Sequence, residues 1–327
     1  MSTTPPDRRA LLVADIGGTH ARAGLVTRPG EAPARVVRHP TAAFEGLAAF
    51  LTAALEELAD HPRPVHAVCA VASPIDHDPI ELTNAGWRFS PAAVAHAIGL
   101  EGVSFVNDWV AQGWAVTRLD AADCQTIQTG SPDGSAPRLA LGPGTGLGSA
   151  LVVPCASGWQ VFATEGGHIS HAPQGRRERL IVDHIEQRFG HCSAERLASG
   201  IGLAAIHDAL LAIEGEPPRH ASAQAIARAG LAGDPLCRET IERMTDALGS
   251  AAGNLALATG ARGGLYVGGG VIPALGDAFD WSRFQTRFRA KGRFHDYLAG
   301  IPIRAINHPA AALLGLSARE AARRDTA

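Results

Sequence analysis

The stretch RLALGPGTGLGSALVV, residues 138–153, places glycine at almost every second position between two apolar runs. Glycine serves wherever φ must be positive or a backbone must come close to another group, so composition alone does not separate a ligand cradle from a plain turn. Context does. A dinucleotide fingerprint needs G-x-G-x-x-G opening a helix, but Gly142 and Gly144 are followed by Leu147 where the third glycine belongs. A P-loop needs a lysine after its last glycine, and the chain's single lysine, Lys291, lies far away in KGRF. What is left is a strand, a turn and a strand, with glycine N–H groups that can form a nest for anionic oxygens.

The same punctuation recurs at DIGGT, residues 15–19, and VGGGVIP, residues 267–273, each after an apolar strand. Thr19 and Thr145 add hydroxyl donors. Asp15 ends its strand where a carboxylate can hold a hydrated Mg2+ against phosphate oxygens without blocking the nest. One such turn is an ordinary hairpin. Three strand-end glycine clusters in one chain point to a phosphate site.

Further out, residues 11–27 read as a hairpin, and Phe44, Leu47, Leu51, Leu55 and Leu58 recur at helical steps that predict an amphipathic helix over 42–60. A buried strand is expected in VHAVCAVASP, then a helix opened by Ser90-Pro91 and stopped by Gly99, then strand VSFVND and helix WVAQGWAV. The polar stretch 128–138 is a loop. Beyond the glycine-rich stretch, helices are expected in 178–189, in 201–213 and from Asp234-Pro235 to Gly260. Strands at 264–270 and 301–306 and a last helix over 310–324 complete the reading. Alternating strands and helices with an early hairpin make this an α/β protein with mixed sheets.

The bulk numbers exclude other classes. With 327 residues, 46% hydrophobic and 19% charged, the chain has room for two domains. A net charge of −3 and a pI near 6.5 give no basic face for nucleic acid or an anionic membrane, and neither partner is expected. Cys69, Cys124, Cys155, Cys192 and Cys237 are scattered without a C-x-x-C pair, which reads as buried free thiols. The first ten residues carry prolines and charges where a signal peptide needs an apolar core, and no later run reaches the length of a spanning helix. A cytoplasmic protein is expected, with residues 1–9 a disordered tail.

ADIGGT, SPI, LTNAGW, VNDW, GPGTGLG, EGGHISHAP, SAERLASGIGL, GGLYVGGGVIP and FRAKGRFHDYLAGIPI occur in that order over nearly the whole chain. In this the sequence resembles the bacterial glucokinases of the hexokinase and actin-like ATPase superfamily, in the branch typified by enterobacterial enzymes. The resemblance implies a two-domain actin-like ATPase (ribonuclease H-like) α/β fold with mixed sheets and an interdomain cleft. The small domain would hold residues 10–118 with 308–327, and the large one 119–307. It implies ATP and Mg2+, glucose as the sugar, and a homodimer.

Carried over residue by residue, Asp108 matches the family's catalytic base, and Asn107 beside it a sugar-hydroxyl ligand. Glu165, His168 and Glu195 match the remaining sugar-binding residues, and Asn84 lies in a loop that approaches the same site. Ala14, Asp15, Ile16, Gly17, Gly18 and Thr19, together with Gly144, Thr145 and Gly146, match the nucleotide phosphate contacts. Gly268, Gly269 and Gly270 resemble the adenosine-side loop. Asp15 is the Mg2+ residue, acting through water.

A sugar presents a ring of donor-acceptor hydroxyls, and carboxylates, an amide and an imidazole are the groups that fix them. Each residue also has a bland alternative. Asp108 could be only an N-cap and Glu195 only a complement to a helix dipole, while His168 could be a satisfied structural histidine. His171, His191 and His207 are assigned structural roles. Two features depart from related patterns: His20 stands where the family usually has asparagine after GGT, and the cysteine-rich zinc motif of the ROK sugar kinases is absent. The competing functions are a kinase for mannose or an amino sugar, a sugar-binding regulator without catalysis, and an actin-like ATPase driven by nucleotide alone.

Overall fold

The computed structural model describes residues 10–82, 85–219 and 222–325. Its Cα packing forms two units. One runs to Asp123 and takes up Cys155–Ala163 and the segment from His308 onward; the other holds Cys124–Pro154 and Thr164–Asn307.

The first unit opens with the expected hairpin, β1 (Leu11–Ile16) against β2 (His20–Val26), followed by β3 (Val36–Pro40). Then come α1 (Leu47–Glu57), β4 (His66–Val71), a ribbon of β5 (Ile80–Leu82) and β6 (Trp87–Phe89), α2 (Pro91–Ile98), β7 (Gly102–Asn107) and α3 (Asp108–Val116). The helix predicted over 42–60 is shorter than its periodicity, because Phe44 and Gly46 have extended backbones and helical geometry starts only at Leu47. Ser90 does stand at the start of α2, but its hydroxyl donates to Asp78 instead of accepting from the helix.

The five-stranded sheet runs β3-β2-β1-β4-β7, antiparallel in its first three strands and parallel from β1 to β7. Strand alternation splits its side chains into two cores. Leu12, Ala14 and Ile16 face Phe50 and Leu51 of α1 and Val94 and Ile98 of α2. Leu11, Val13, Val68, Ala70 and Val106 face the other way, toward Ala111 of α3 and Leu313 and Leu316 of the C-terminal helix.

The second sheet is built from β8 (Cys124–Gln128), β9 (Arg138–Pro143), β10 (Leu147–Cys155) and β11 (Gly158–Thr164), then helices α4 (Gly175–Phe189), α5 (Gly200–Glu214), α6 (Ala223–Leu231) and α7 (Pro235–Thr259) before β12 (Gly264–Val267). Short helix α8 (Val271–Leu275), α9 (Trp281–Arg289) and α10 (His295–Ala299) lead to β13 (Ile303–Ile306). Its order is β11-β10-β9-β12-β13-β8, with β9, β12 and β13 parallel and the β10–β9 and β13–β8 pairs antiparallel. Helix α7 has the boundaries its sequence dictates: the Asp234 carboxylate accepts from the Leu236 and Cys237 N–H groups, Pro235 opens the first turn, and left-handed Gly260 closes the last. Helix α11 (Ala311–Asp325) then returns to the first sheet and packs along α3.

The fold is thus mixed α/β, as expected. Among the described residues no helix is long and apolar enough to cross a membrane. Four cysteines are buried, but Cys155 is exposed at the end of β10, a correction to the reading of all five as interior thiols.

Candidate active site

In the first sheet the parallel register sets Ile16, Val71 and Asn107 side by side on β1, β4 and β7. The chain therefore leaves β1 as Gly17, Gly18 and Thr19 and leaves β7 as Asp108 at one edge, two strand spacings or roughly 10 Å apart. Alternation also puts Asp15 on the face of Leu11 and Val13, the face that α3 covers, and Asp108 is the first residue of α3.

The Gly-Gly-Thr turn is closed by its own backbone and braced from outside. Gly17 N–H donates to His20 O (3.1 Å), the Thr41 hydroxyl donates to Gly17 O (2.7 Å), and Thr41 N–H donates to Thr19 O (3.0 Å). His20 enters this closure through its carbonyl, a group any residue supplies. Thr41 is buried, and nothing in the surrounding HPTAAF marks it as a brace.

Burial pushes the Asp15 carboxyl up from the usual carboxylate range, and Arg22, its register partner with a guanidinium nitrogen 3.6 Å away, draws it partly back. A desolvated carboxylate with one cationic neighbour gains further from a divalent cation. Among the described residues no group of three or more His, Cys, Asp or Glu could hold a metal by itself. Asp15 offers one carboxylate, and Mg2+ is a cation that one or two carboxylates can hold while phosphate oxygens and water fill its sphere.

At Asp108 the structure separates two roles. Asn107 is the N-cap of α3, its side-chain oxygen accepting from the Trp109 and Val110 N–H groups (2.9 and 3.3 Å). The bland alternative for Asp108 therefore falls to its neighbour. Asp108 sits inside the first turn, one carboxylate oxygen accepting from Trp109 N–H (2.9 Å), where the positive end of the helix dipole favours an anion.

In the second sheet Leu141, Val267 and Ala305 stand abreast on parallel strands, so residues 142–146 and 268–270 leave the same edge. The two glycine loops touch. Gly268 N–H donates to Leu141 O (2.9 Å), and Gly269, at φ +92°, lies so close to the Pro143 carbonyl that a Cβ there would collide with it. Beside them opens a cavity of about 420 Å3 lined by Gly268, Gly269, Gln125, Asp277, Trp281 and Asn307. The last four carry no sequence signature; Asn307 is marked only by following β13 directly. A groove of about 560 Å3 between α1 and α2, reached by His61, Arg63 and His96, contains none of the candidate residues.

The turn in GPGTGLG is a hairpin, Pro143 opposite Leu147, closed by Gly144 N–H on Gly146 O (2.8 Å) and tied to α5 by Gly200 N–H on Gly144 O (2.9 Å). Glu195 lies directly over it. One of its carboxylate oxygens accepts from Leu147 N–H (2.9 Å), and the space a Cβ on Gly146 would need is filled by that carboxylate. Glu195 is thus no dipole complement to α5, whose cap is Ser199. From the other side, Glu195 N–H donates to Gly167 O (2.8 Å) in the short turn that carries His168. His168 N–H donates to Glu165 O (3.0 Å), their side chains are 3.8 Å apart, and both are exposed.

The second unit therefore gathers Glu165, His168, Glu195 and residues 144–146 into one connected set, with 268–270 beside it. The first unit holds residues 14–19, Asn107 and Asp108. Asn84 lies outside the described residues.

In the same unit, Glu178 of α4 is almost fully buried with His171 and Arg287. Burial alone would raise its pKa, but bonds from His171, Gln174 N–H and Arg287 outweigh that and hold it at about 2, against an ordinary 4.5. A depressed carboxylate contributes stability that is complete above its unfolded pKa and lost as pH falls toward its folded one, here between about 4.5 and 2, on the order of 3 kcal/mol. Chemical denaturation at pH 6 and pH 3 is expected to show about 2 kcal/mol of that loss, and Glu178→Gln, less stable at pH 6, a flatter pH response. Equal pH slopes for the two proteins would exclude Glu178 as the titrating group.

Comparison with known proteins shows the family. A family model described as Glucokinase matches residues 12–323. A curated protein named Glucokinase from Paramagnetospirillum magneticum is 44% identical over 94% of this chain and 96% of its own. A crystal structure of glucokinase from an Antarctic psychrotroph is 34% identical with a TM-score of 0.82, covering 95% of this chain and 98% of that one. A ROK family glucokinase from Streptomyces griseus, solved in complex with glucose and AMPPNP, shares the fold at 22% identity and a TM-score of 0.59, over 96% of this chain and 99% of that one. With glycine turns at matching strand edges, a carboxylate at the head of α3 and a family match over nearly its full length, the chain belongs to the glucokinase family.

Proposed function

We propose that the protein transfers the γ-phosphoryl group of ATP to the hydroxymethyl oxygen of glucose, giving glucose 6-phosphate and ADP. The observation that carries this reading is the connected set of Glu165, His168, Glu195 and the 144–146 turn, which joins sugar-binding groups to a phosphate-binding turn. In this reading Asp108 takes the proton from the sugar oxygen as that oxygen bonds to the γ-phosphorus and the bond to ADP breaks. Asn107, its oxygen engaged in capping α3, keeps its amide N–H groups for a sugar hydroxyl. Residues 14–19 and 144–146 bind phosphate oxygens through backbone N–H groups and the Thr19 and Thr145 hydroxyls, and 268–270 lie on the adenosine side. Asp15 would hold Mg2+ through water; the ion supplies charge neutralisation for the phosphates.

We assign the chain to the branch without the ROK zinc motif. The division into a small domain of residues 10–118 with 308–327 and a large domain of 119–307 is supported by the similar partition of Cα packing, and the actin-like fold of the whole rests on the family resemblance. A cytoplasmic homodimer rests on the family resemblance, and light scattering tests the dimer.

The experiment is a coupled ADP-release assay with glucose, mannose, glucosamine and no sugar, with and without Mg2+. Glucose-dependent, Mg2+-requiring turnover with the highest kcat/KM for glucose is expected. A higher kcat/KM for mannose or glucosamine would reassign the sugar, sugar-independent turnover would make the chain an ATPase, and no sugar phosphate from any hexose would refute the kinase reading.

A further inference from the structure

The residues that bind sugar in this reading sit on short, irregular segments, so something else must fix them. Glu165 is the N-cap of a three-residue turn that ends at His168, and Glu195 precedes α5 without being part of a helix. The chain between them makes a small antiparallel ladder. Ala194 N–H donates to Ile169 O (2.9 Å), His171 N–H donates to Cys192 O (2.9 Å), and Ser170 pairs with Ser193. One strand of this ladder begins immediately after His168, and the other ends immediately before Glu195.

Beyond the core packing of Cys192 and Ala194, the ladder is tied to the helices at His171. The His171 side chain, 2% exposed, bonds through Nε2 to Glu178 Oε1 at 2.7 Å. Glu178, 4% exposed, accepts from Gln174 N–H (2.7 Å) and from one Arg287 nitrogen through both oxygens (2.9 Å each), and Arg287 also donates to Gln174 Oε1 (2.9 Å). Three elements meet there: the ladder through His171, α4 through Glu178 and α9 through Arg287. Every polar partner of Glu178 is a donor, and its fully engaged carboxylate leaves little freedom for the imidazole it holds.

We infer that the His171–Glu178–Arg287 cluster is the positioning support of the sugar site, holding Glu165, His168 and Glu195 at their working separation through the 169–171/192–194 ladder. The inference rests on the glucokinase reading for which groups touch the sugar. It gives His171 a role that its burial alone would leave as packing: a displaced ladder displaces both sugar-binding segments, and groups that recognise a polyol must be placed to within a fraction of an ångström. The nucleotide-side loops have supports of their own, in Gly200 N–H on Gly144 O and in the contact of Gly269 with Pro143, and they respond less.

The test compares wild type, His171→Ala, His171→Gln and Ile226→Ala, the last a core change on α6, an element outside the ladder, that lowers stability. For His171→Ala the glucose KM is expected to rise at least tenfold while the ATP KM moves less than threefold; His171→Gln, whose amide can still donate to Glu178, brings the glucose KM back to within threefold of wild type. If His171→Ala does not fold, His171→Asn, with a side chain one methylene shorter than glutamine, carries the same prediction. A glucose KM unchanged in the alanine or asparagine variant, or raised equally by Ile226→Ala, reduces the cluster to a structural anchor and overturns the inference. Wild type without glucose-dependent turnover overturns the functional reading itself, a result the parallel control separates from failure of the support.

Discussion

Asp108→Asn is expected to lower kcat for glucose by about a hundred- to ten-thousand-fold, the range general-base assistance contributes, with glucose KM within a few-fold and the unfolding temperature nearly unchanged. The start of α3 is expected to survive the change. The cap of α3 is Asn107, and the bond Asp108 accepts from Trp109 N–H can be accepted equally by an amide oxygen. What asparagine cannot do is take a proton. Steady-state kinetics beside a thermal melt check this, and a kcat within tenfold of wild type would move the base elsewhere.

Gly146→Ala is expected to cost about a hundredfold in kcat/KM, the scale of an ångström-sized misplacement at a reacting site. The added Cβ occupies the position of the Glu195 carboxylate, so Glu195 must move and give up its bond from Leu147 N–H. A charge-assisted hydrogen bond of that kind contributes about 1.5–3 kcal/mol, so a fall in stability accompanies the kinetic loss. Both quantities follow from one purified variant. Kinetics equal to wild type would mean that the turn and Glu195 relax independently of each other.

The glycine turns were legible because their signal is local: the apolar flanks, the Gly-Gly or Gly-Thr-Gly centre and the absence of helical spacing all lie within about fifteen residues. The ends of α7 were legible for the same reason, with a cap, a proline and a terminal glycine in sequence. Periodicity overextended α1, since Phe44 packs beside Phe50 from an extended segment and keeps the helical spacing without the helix. Asp108 stood out as a candidate only with its neighbours, because an aspartate after a strand and before a helix describes a cap equally well. Thr41, Gln125 and Asn307 were not legible at all. Each reaches its loop from a segment distant in sequence, by packing that no short window contains. Lys291, prominent as the one lysine, is half-buried with its amine on the Ser250 carbonyl; its place in KGRF belongs to the contact between α7 and α9.

The register that sets Ile16, Val71 and Asn107 abreast bears on how this chain tolerates change. The spacing between the carboxylate of Asp15 and the head of α3 is measured out by two rows of main-chain hydrogen bonds with β4 as the ruler between them. Side chains on either face of that ruler, among them Val68, Cys69 and Ala70, can vary in size at the expense of stability while the ruler keeps its length. Only a slip of the strand, which would turn the whole of β4 inside out, resets the distance. Mutational drift in this core should therefore surface as lost thermal tolerance well before it surfaces as lost chemistry.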